Sequence, residues 1–480
     1  MAARAADPSP PPAKRSGLRR RAPRWVDARA CSSLCQLIMD DRRGGGGGGT
    51  AALGVRRRRP VLPPALYCEH VAPFLCFEAP LPDMLYAFGG RNRQQGPLSS
   101  AEMLDTWHSE WVPLPEMPRR RAGSAAASLP DGRILIIGGY DQRGIVDGLL
   151  ASCDVYNPFD ERWERDGAAP LARARWGHGC AALDGRVYAV GGCALSVDAQ
   201  GQQEPVMETQ RSCEVYDPQS NCWATCSPLR VPRSGSRVVS LGPGHIAAVG
   251  GCDDVFGRAE TQATVEIYSL AHACWALLDG RLAIPRTSAA VTAIDSGRCL
   301  FVAGGAPSQA SVEVFPVPHL AKGALDAWCR FGTTSDIQAA VGDGVTEGES
   351  APEAVSSLAA EGLEHTGLPA TAAVDDMTEG RMGCQAAVAQ LPKWRATRDV
   401  QPSGRRNCVL VIGGELCDDT LGGLSSMPRV RQLGSVAVYD LDVGRWCAEA
   451  EGAAPAMAAP RTTMALCLGL GRVAQARLDD

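Results

Sequence analysis

The chain reads as an all-β protein assembled from six copies of one unit of roughly 50 residues. Three observations carry that reading. Short apolar runs end in a glycine pair at Gly89-Gly90, Gly138-Gly139, Gly191-Gly192, Gly250-Gly251, Gly304-Gly305 and Gly413-Gly414. The first four intervals between pairs are 49, 53, 59 and 54 residues, and self-similarity at such a period marks a repeat architecture. A tryptophan also precedes the next pair at near-constant distance: 27 residues from Trp111 to Gly138, then 28, 27 and 29.

Within a unit the elements follow in order. Residues 173–192 show the first two most plainly: two short strands flank Asp184-Gly185, a hairpin turn signal, and the second ends in the glycine pair. After a variable loop comes a third strand: Cys153-Asp154-Val155-Tyr156, Cys213-Glu214-Val215-Tyr216, Val265-Glu266-Ile267-Tyr268, Val312-Glu313-Val314-Phe315 and Val436-Ala437-Val438-Tyr439. A tryptophan closes each unit: Trp163, Trp223, Trp275, Trp328 and Trp446. The first copy is weaker, with Met103-Leu104-Asp105 and either Trp107 or Trp111. Paired glycines allow backbone angles that side chains forbid, and a large indole fills the wedge between neighbouring units.

These residues resemble the kelch family. The match is near-literal at Val215-Tyr216-Asp217-Pro218 and Val155-Tyr156-Asn157-Pro158, and it spans roughly residues 81–470. The resemblance implies one four-stranded β-propeller blade per repeat. First strands begin near Arg119–Gly123, Arg173–Gly177, Arg233, Arg286, Arg381 and Arg461, so each kind of strand is present six times. The chain opens on a second strand (85–88) and closes on a first (461–470). A six-bladed propeller closed by its C-terminal strand follows, and closure removes exposed sheet edges.

Outside the repeats the sequence reads differently. Residues 1–60 carry 14 basic and four acidic residues, with proline and glycine runs, and form a disordered tail. That tail is the one place where nucleic-acid binding, nuclear import or a transit signal would act. Residues 61–80 contain Leu62-Pro63 and apolar Leu66, Val71, Phe74 and Leu75, which resembles the opening of an F-box, the module that docks on ubiquitin-ligase core subunits. Fewer than 20 residues remain before the repeats, and Pro73 breaks a helix. A truncated F-box and an apolar strap both stay open, with the strap favoured. Residues 471–480 form a short tail. An acidic, aromatic-poor insert spans about 331–380, with ten acidic residues and no lysine or arginine. A second loop, at about 390–406, lies inside the hairpin of the last full repeat.

The 19 cysteines are odd in number and irregular in spacing, which favours thiols in a reducing compartment over a disulfide framework. No run is long enough to span a membrane. The expected setting is cytoplasmic or nuclear. Of 48 basic residues 45 are arginine. The repeats are near neutral once the tail and insert are set aside, which argues against a nucleic-acid surface over the propeller. No phosphate loop, paired zinc-ligand motif or converging histidine set is present, so neither cofactor nor metal is expected.

What the repeat offers is a basic residue at the head of every first strand. In the BTB-kelch ubiquitin-ligase adaptors that the sequence resembles, arginines and serines in this part of the repeat bind acidic peptides. Arg121, Arg175, Ser234, Ser236 and Ser288 match, and Arg233, Arg286, Arg381 and Arg461 extend the ring. Guanidinium–carboxylate pairing supplies the chemistry; bracing of adjacent blades is the competing role for each arginine. The expected function is a non-catalytic interaction scaffold, most concretely a ligase substrate adaptor, with the acidic insert folding over the arginine-lined end. A kelch-fold metal-dependent oxidase or lyase and a cytoskeletal or nuclear scaffold are the alternatives.

Overall fold

The computed structural model describes residues 83–106, 109–164, 167–196, 206–253, 261–317, 374–392, 405–418, 429–447 and 454–470. The N-terminal tail, the 61–80 segment, Trp107, Trp328, residues 331–373 of the insert, residues 393–404 of the second loop and the 471–480 tail lie outside them.

Six antiparallel sheets, one per repeat, make a β-propeller. Blade one joins Ala465–Leu470, Asp83–Phe88, Ala101–Asp105 and Glu110–Leu114, in that spatial order. Blade two is Ala125–Ser128, Ile134–Ile137, Cys153–Asn157 and Arg162–Glu164. Blade three is Gly179–Leu183, Arg186–Val190, Cys213–Asp217 and Cys222–Cys226. Blade four is Arg237–Ser240, His245–Val249, Thr264–Ser269 and Cys274–Arg281. Blade five shows three described strands, Ala290–Ile294, Cys299–Ala303 and Val312–Pro316. Blade six is Gln385–Pro392, Arg405–Ile412, Val436–Asp440 and Arg445–Trp446.

The C-terminal strand closes the ring as the order of elements requires. Phe88 pairs with Ala465 and the register runs to Asp83 opposite Leu470. The hairpin of blade three turns at Asp184 (φ 50°) and Gly185 (φ 74°), the left-handed pair that a two-residue β-turn needs. The tryptophans sit on outer strands, opposite the aromatic or apolar residue of the third strand: Tyr156↔Trp163, Tyr216↔Trp223, Tyr268↔Trp275, Tyr439↔Trp446 and Leu104↔Trp111. Trp111 therefore holds the repeat position in the first copy.

These rings fill the seams between blades. Trp163 and Tyr156 pack with Phe88 of blade one, and Tyr439 and Trp446 with Phe301 of blade five. The indole N–H of Trp163, Trp223, Trp446 and Trp111 donates to a carbonyl of the loop leading into its own blade: Pro115, Ala169, Asp375 and Pro455, at 2.7–3.0 Å.

Two boundaries differ from the sequence reading. Every inner strand starts four residues after its arginine, at Ala125, Gly179, Arg237, Ala290, Gln385 and Ala465. The cause is a left-handed residue two positions after each arginine, which interrupts the extended run. The acidic insert also ends early: residues 374–380 belong to the path into blade six, where Met377 is buried and Asp376 accepts the Val312 N–H at 3.2 Å.

Candidate functional site

The six arginines are not a ligand surface. Arg121, Arg175, Arg233, Arg286, Arg381 and Arg461 are each no more than 2% exposed. Each lies inside its blade and repeats one bonding scheme. One Nη of each donates twice, at 2.8–3.1 Å, to the carbonyl of the first glycine in its blade's pair and to a carbonyl at or just before the start of the third strand. The rest of the guanidinium meets a third-strand carboxylate: Asp154, Glu214, Glu266 and Glu313 at 2.7–2.9 Å, and Glu102 for Arg461. Four of those carboxylates also accept backbone N–H groups of the loop leading into the blade: Glu214 from Ala172, Glu266 from Arg230, Glu313 from Ala283 and Glu102 from Ala458, at 2.6–2.8 Å.

The physical reason is desolvation. A guanidinium inside a blade must satisfy its donors there, because a buried charge left unpaired is costly. Burial pulls Arg233, Arg286 and Arg461 below the ordinary guanidinium range, against the opposing pull of Glu266, Glu313 and Glu102. Blade six departs from the pattern. Ala437 stands where the other third strands have an acid, and Glu379, from the segment leading in, pairs with Arg381 at 3.2 Å instead. Glu379 also contacts Arg431 and accepts from the Ser435 hydroxyl. Glu379 thus meets the arginine ring as a structural partner inside one blade, while residues 331–373 of the segment expected to cover that end lie outside the described residues.

The arginine backbones explain the glycine pairs. Each arginine carbonyl accepts the N–H of the second glycine in the preceding blade, from Gly90→Arg121 round to Gly414→Arg461, at 2.7–2.9 Å. A Cβ on the first glycine would stand 2.5–2.7 Å from that carbonyl at Gly89, Gly138, Gly191 and Gly413. Both constraints, left-handed φ and a backbone with no room for Cβ, select glycine.

A second ring lies on the axis. The residues two positions after each arginine are Gly123, Gly177, Gly235, Ser288, Gly383 and Thr463, all with φ between 51° and 68°. Each donates its N–H to the carbonyl of its counterpart in the preceding blade, at 2.8–3.0 Å, and Gly123→Thr463 completes the circuit. Beside this ring lies a cavity of ≈ 430 Å³ lined from all six blades. Ser234 and Ser288 of the expected serines reach it, while Ser236 does not and is fully buried with no partner for its hydroxyl. Sequence reasoning missed further polar members, among them Ser124, Trp176, Arg237, Gln385 and Thr463. His178 also lines the cavity, and burial together with Arg175 lowers its pKa to about 3.

Exposed basic groups lie at the end where second strands run into third strands. That end carries three β-ribbons: Arg91–Asn92 with Gly96–Pro97, Cys193–Ser196 with Val206–Thr209, and Glu415–Asp418 with Arg429–Gln432. The first and last touch across the closure, where the Arg93 N–H donates to Gln432 Oε1 at 2.8 Å. Arg91, Arg93, Arg119, Arg120 and Arg143 are exposed there. Arg120 reaches the Gln95 carbonyl on the ribbon tip, and Arg173 braces the blade-three ribbon through Gln210 and the Leu195 carbonyl. Among the described residues no group of three or more His, Cys, Asp or Glu could hold a metal ion.

A family model described as the kelch motif matches residues 81–118 and 174–230. Kelch-like protein 25 of Xenopus laevis is 33% identical over 28% of this chain and 22% of its own length. Kelch-like protein 36 of Bos taurus is 28% identical over 45% of this chain and 32% of its own. An F-box/kelch-repeat protein of Arabidopsis thaliana is 35% identical over 28% of this chain and 32% of its own. The matched region spans a third or less of these relatives' length. Six blades in which the glycine pair, the buried arginine and the seam-filling tryptophan recur in step agree with those matches: the chain is a kelch-repeat β-propeller protein.

Proposed function

We propose that the protein is a non-catalytic interaction scaffold whose ribbon-bearing end docks a protein partner. One observation carries the reading. The buried arginines of each repeat are spent on the ring, while the three β-ribbons and the exposed guanidiniums of Arg91, Arg93, Arg119, Arg120 and Arg143 stand together at one end. Loops held on a rigid scaffold are where recognition concentrates. Exposed arginines favour acidic segments through paired N–H donors, with the salt sensitivity of surface charge.

In its concrete form the partner is the substrate of a ubiquitin ligase, with ligase core subunits engaged elsewhere on the chain. The names of the kelch-like and F-box/kelch relatives support that form. An acidic peptide titrated into the full chain tests the docking end. Charge reversal at Arg93 and Arg120 should weaken binding at least tenfold and flatten its salt dependence; unchanged affinity refutes the assignment. Affinity capture with and without residues 1–80, read for ligase core subunits, tests the adaptor role.

A further inference from the structure

The axial cavity holds a charge that nothing among the described residues neutralises. Arg237 begins the inner strand of blade four and reaches round the axis. Its Nε donates to the Ala289 carbonyl of blade five at 2.8 Å, and its Nη2 to the Cys384 carbonyl of blade six at 2.9 Å. Among the described residues no carboxylate pairs with it, in contrast to the six ring arginines. At the same position the other blades carry Ala125, Gly179, Ala290, Gln385 and Ala465. A guanidinium is therefore specific to this one blade, and burial pulls it below its ordinary range.

Polar groups around it are also unpaired. Among the described residues the Ser124 hydroxyl, the Trp176 indole N–H, both ring nitrogens of His178 and the Thr463 hydroxyl find no hydrogen-bond partner, and all four residues line the same cavity. Ser124 and His178 are 6% and 3% exposed. An interior that leaves one cation and several donors unmatched is unfavourable unless something completes it.

We propose that this axial cavity binds a carboxylate, seated on Arg237 and on the donors of Ser124, Trp176 and Thr463. One positive charge matches one carboxylate. A phosphate dianion would bring a second charge, and among the residues lining the cavity Arg237 is the one guanidinium. The volume is ample for a metabolite-sized acid. The same chemistry is offered by a free carboxylic acid or by a glutamate side chain of a bound peptide. The proposal does not depend on the docking end proposed above, whose arginines lie outside the cavity.

The test uses the full chain at constant ionic strength, titrated calorimetrically with benzoate, with benzamide, and with a neutral peptide carrying a single glutamate. Saturable benzoate binding without benzamide binding, weakened at least tenfold by Arg237→Met, is the expected result. Binding by the glutamate peptide alone, with the same dependence on Arg237, supports the carboxylate site and assigns its source to a partner protein. Because Arg237 also ties blades five and six, Ser124→Ala provides a milder variant, expected to weaken binding about tenfold, as loss of one hydrogen bond to a charged group would. Equal binding of benzoate and benzamide, no binding by either carboxylate probe, or affinity unchanged in the variants would overturn the proposal.

Discussion

Removing one carboxylate from the arginine ring should be among the most damaging single changes this propeller can suffer. Glu266 and Arg233 are both fully buried, with Nε 2.9 Å from the carboxylate. The same carboxylate accepts the backbone N–H groups of Arg230 and Val231. Glu266→Ala leaves a guanidinium without its counter-charge and two N–H groups without an acceptor. Breaking a buried pair from one side costs about 3–5 kcal/mol. Arg233→Met should cost a similar amount, since it strands Glu266 and the carbonyls of Gly250 and Thr264. The double variant Arg233→Met/Glu266→Ala should fall short of the sum by about 1–3 kcal/mol, because neither charge is then abandoned. Urea denaturation followed by tryptophan fluorescence measures all three, read as a shift in midpoint at constant slope. Singles costing under about 1 kcal/mol, or strict additivity, would refute the reasoning, because contacting charges must couple.

Four further outcomes follow from particular contacts. Glu379→Ala in blade six should cost about 1 kcal/mol or less, since Glu379 is a quarter exposed and water can replace it, and the same denaturation series compares it with Glu266→Ala. Gly191→Ala, where Cβ would stand 2.6 Å from the Arg233 carbonyl, should destabilise well beyond Gly96→Ala, which has the same left-handed φ in open space and costs about 1–2 kcal/mol; paired thermal midpoints decide it. Trp275→Ala should cost about 3–5 kcal/mol because the indole is only 1% exposed, again measured in urea. His178 is buried with its pKa lowered to about 3, so the unfolded chain takes up its proton first. The folded state therefore has its full contribution above about pH 6.5 and loses about 1.4 kcal/mol per pH unit as pH falls towards 3. His178→Leu should flatten that part of the stability–pH curve relative to the parent chain.

The repeat itself was legible because its signals are covalent and periodic. A glycine pair, a Val-Glu-Val-Tyr strand and a tryptophan each answer a steric demand met once per blade, and the closing strand follows from counting them. Strand starts were misplaced because nothing in Arg-Ser-Gly or Arg-Trp-Gly announces a left-handed residue on an axis, although glycine two places after four of the arginines was a trace of it. The misreading that matters most concerns charge. Arginine in sequence reads as surface, and the ring was assigned to acidic ligands. The correcting signal was present in the third strands, where Asp154, Glu214, Glu266, Glu313 and Glu102 supply one acid per arginine. Blade six hid it by moving the acid to Glu379, inside the segment read as a disordered insert. Arg237 left a different trace, as a long cation where most other blades have glycine or alanine. Its significance depends on what faces it across the axis, which only the closed ring reveals.

Native-state labelling of arginines with phenylglyoxal, read residue by residue by mass spectrometry, tests the division between bracing and exposed guanidiniums most directly. Arg91, Arg93, Arg119, Arg120 and Arg143 should react at the rate of free arginine or near it. Arg121, Arg175, Arg233, Arg286, Arg381 and Arg461 should stay unmodified until the chain unfolds. Modification of those six in the folded protein, at rates matching the exposed five, would contradict the account.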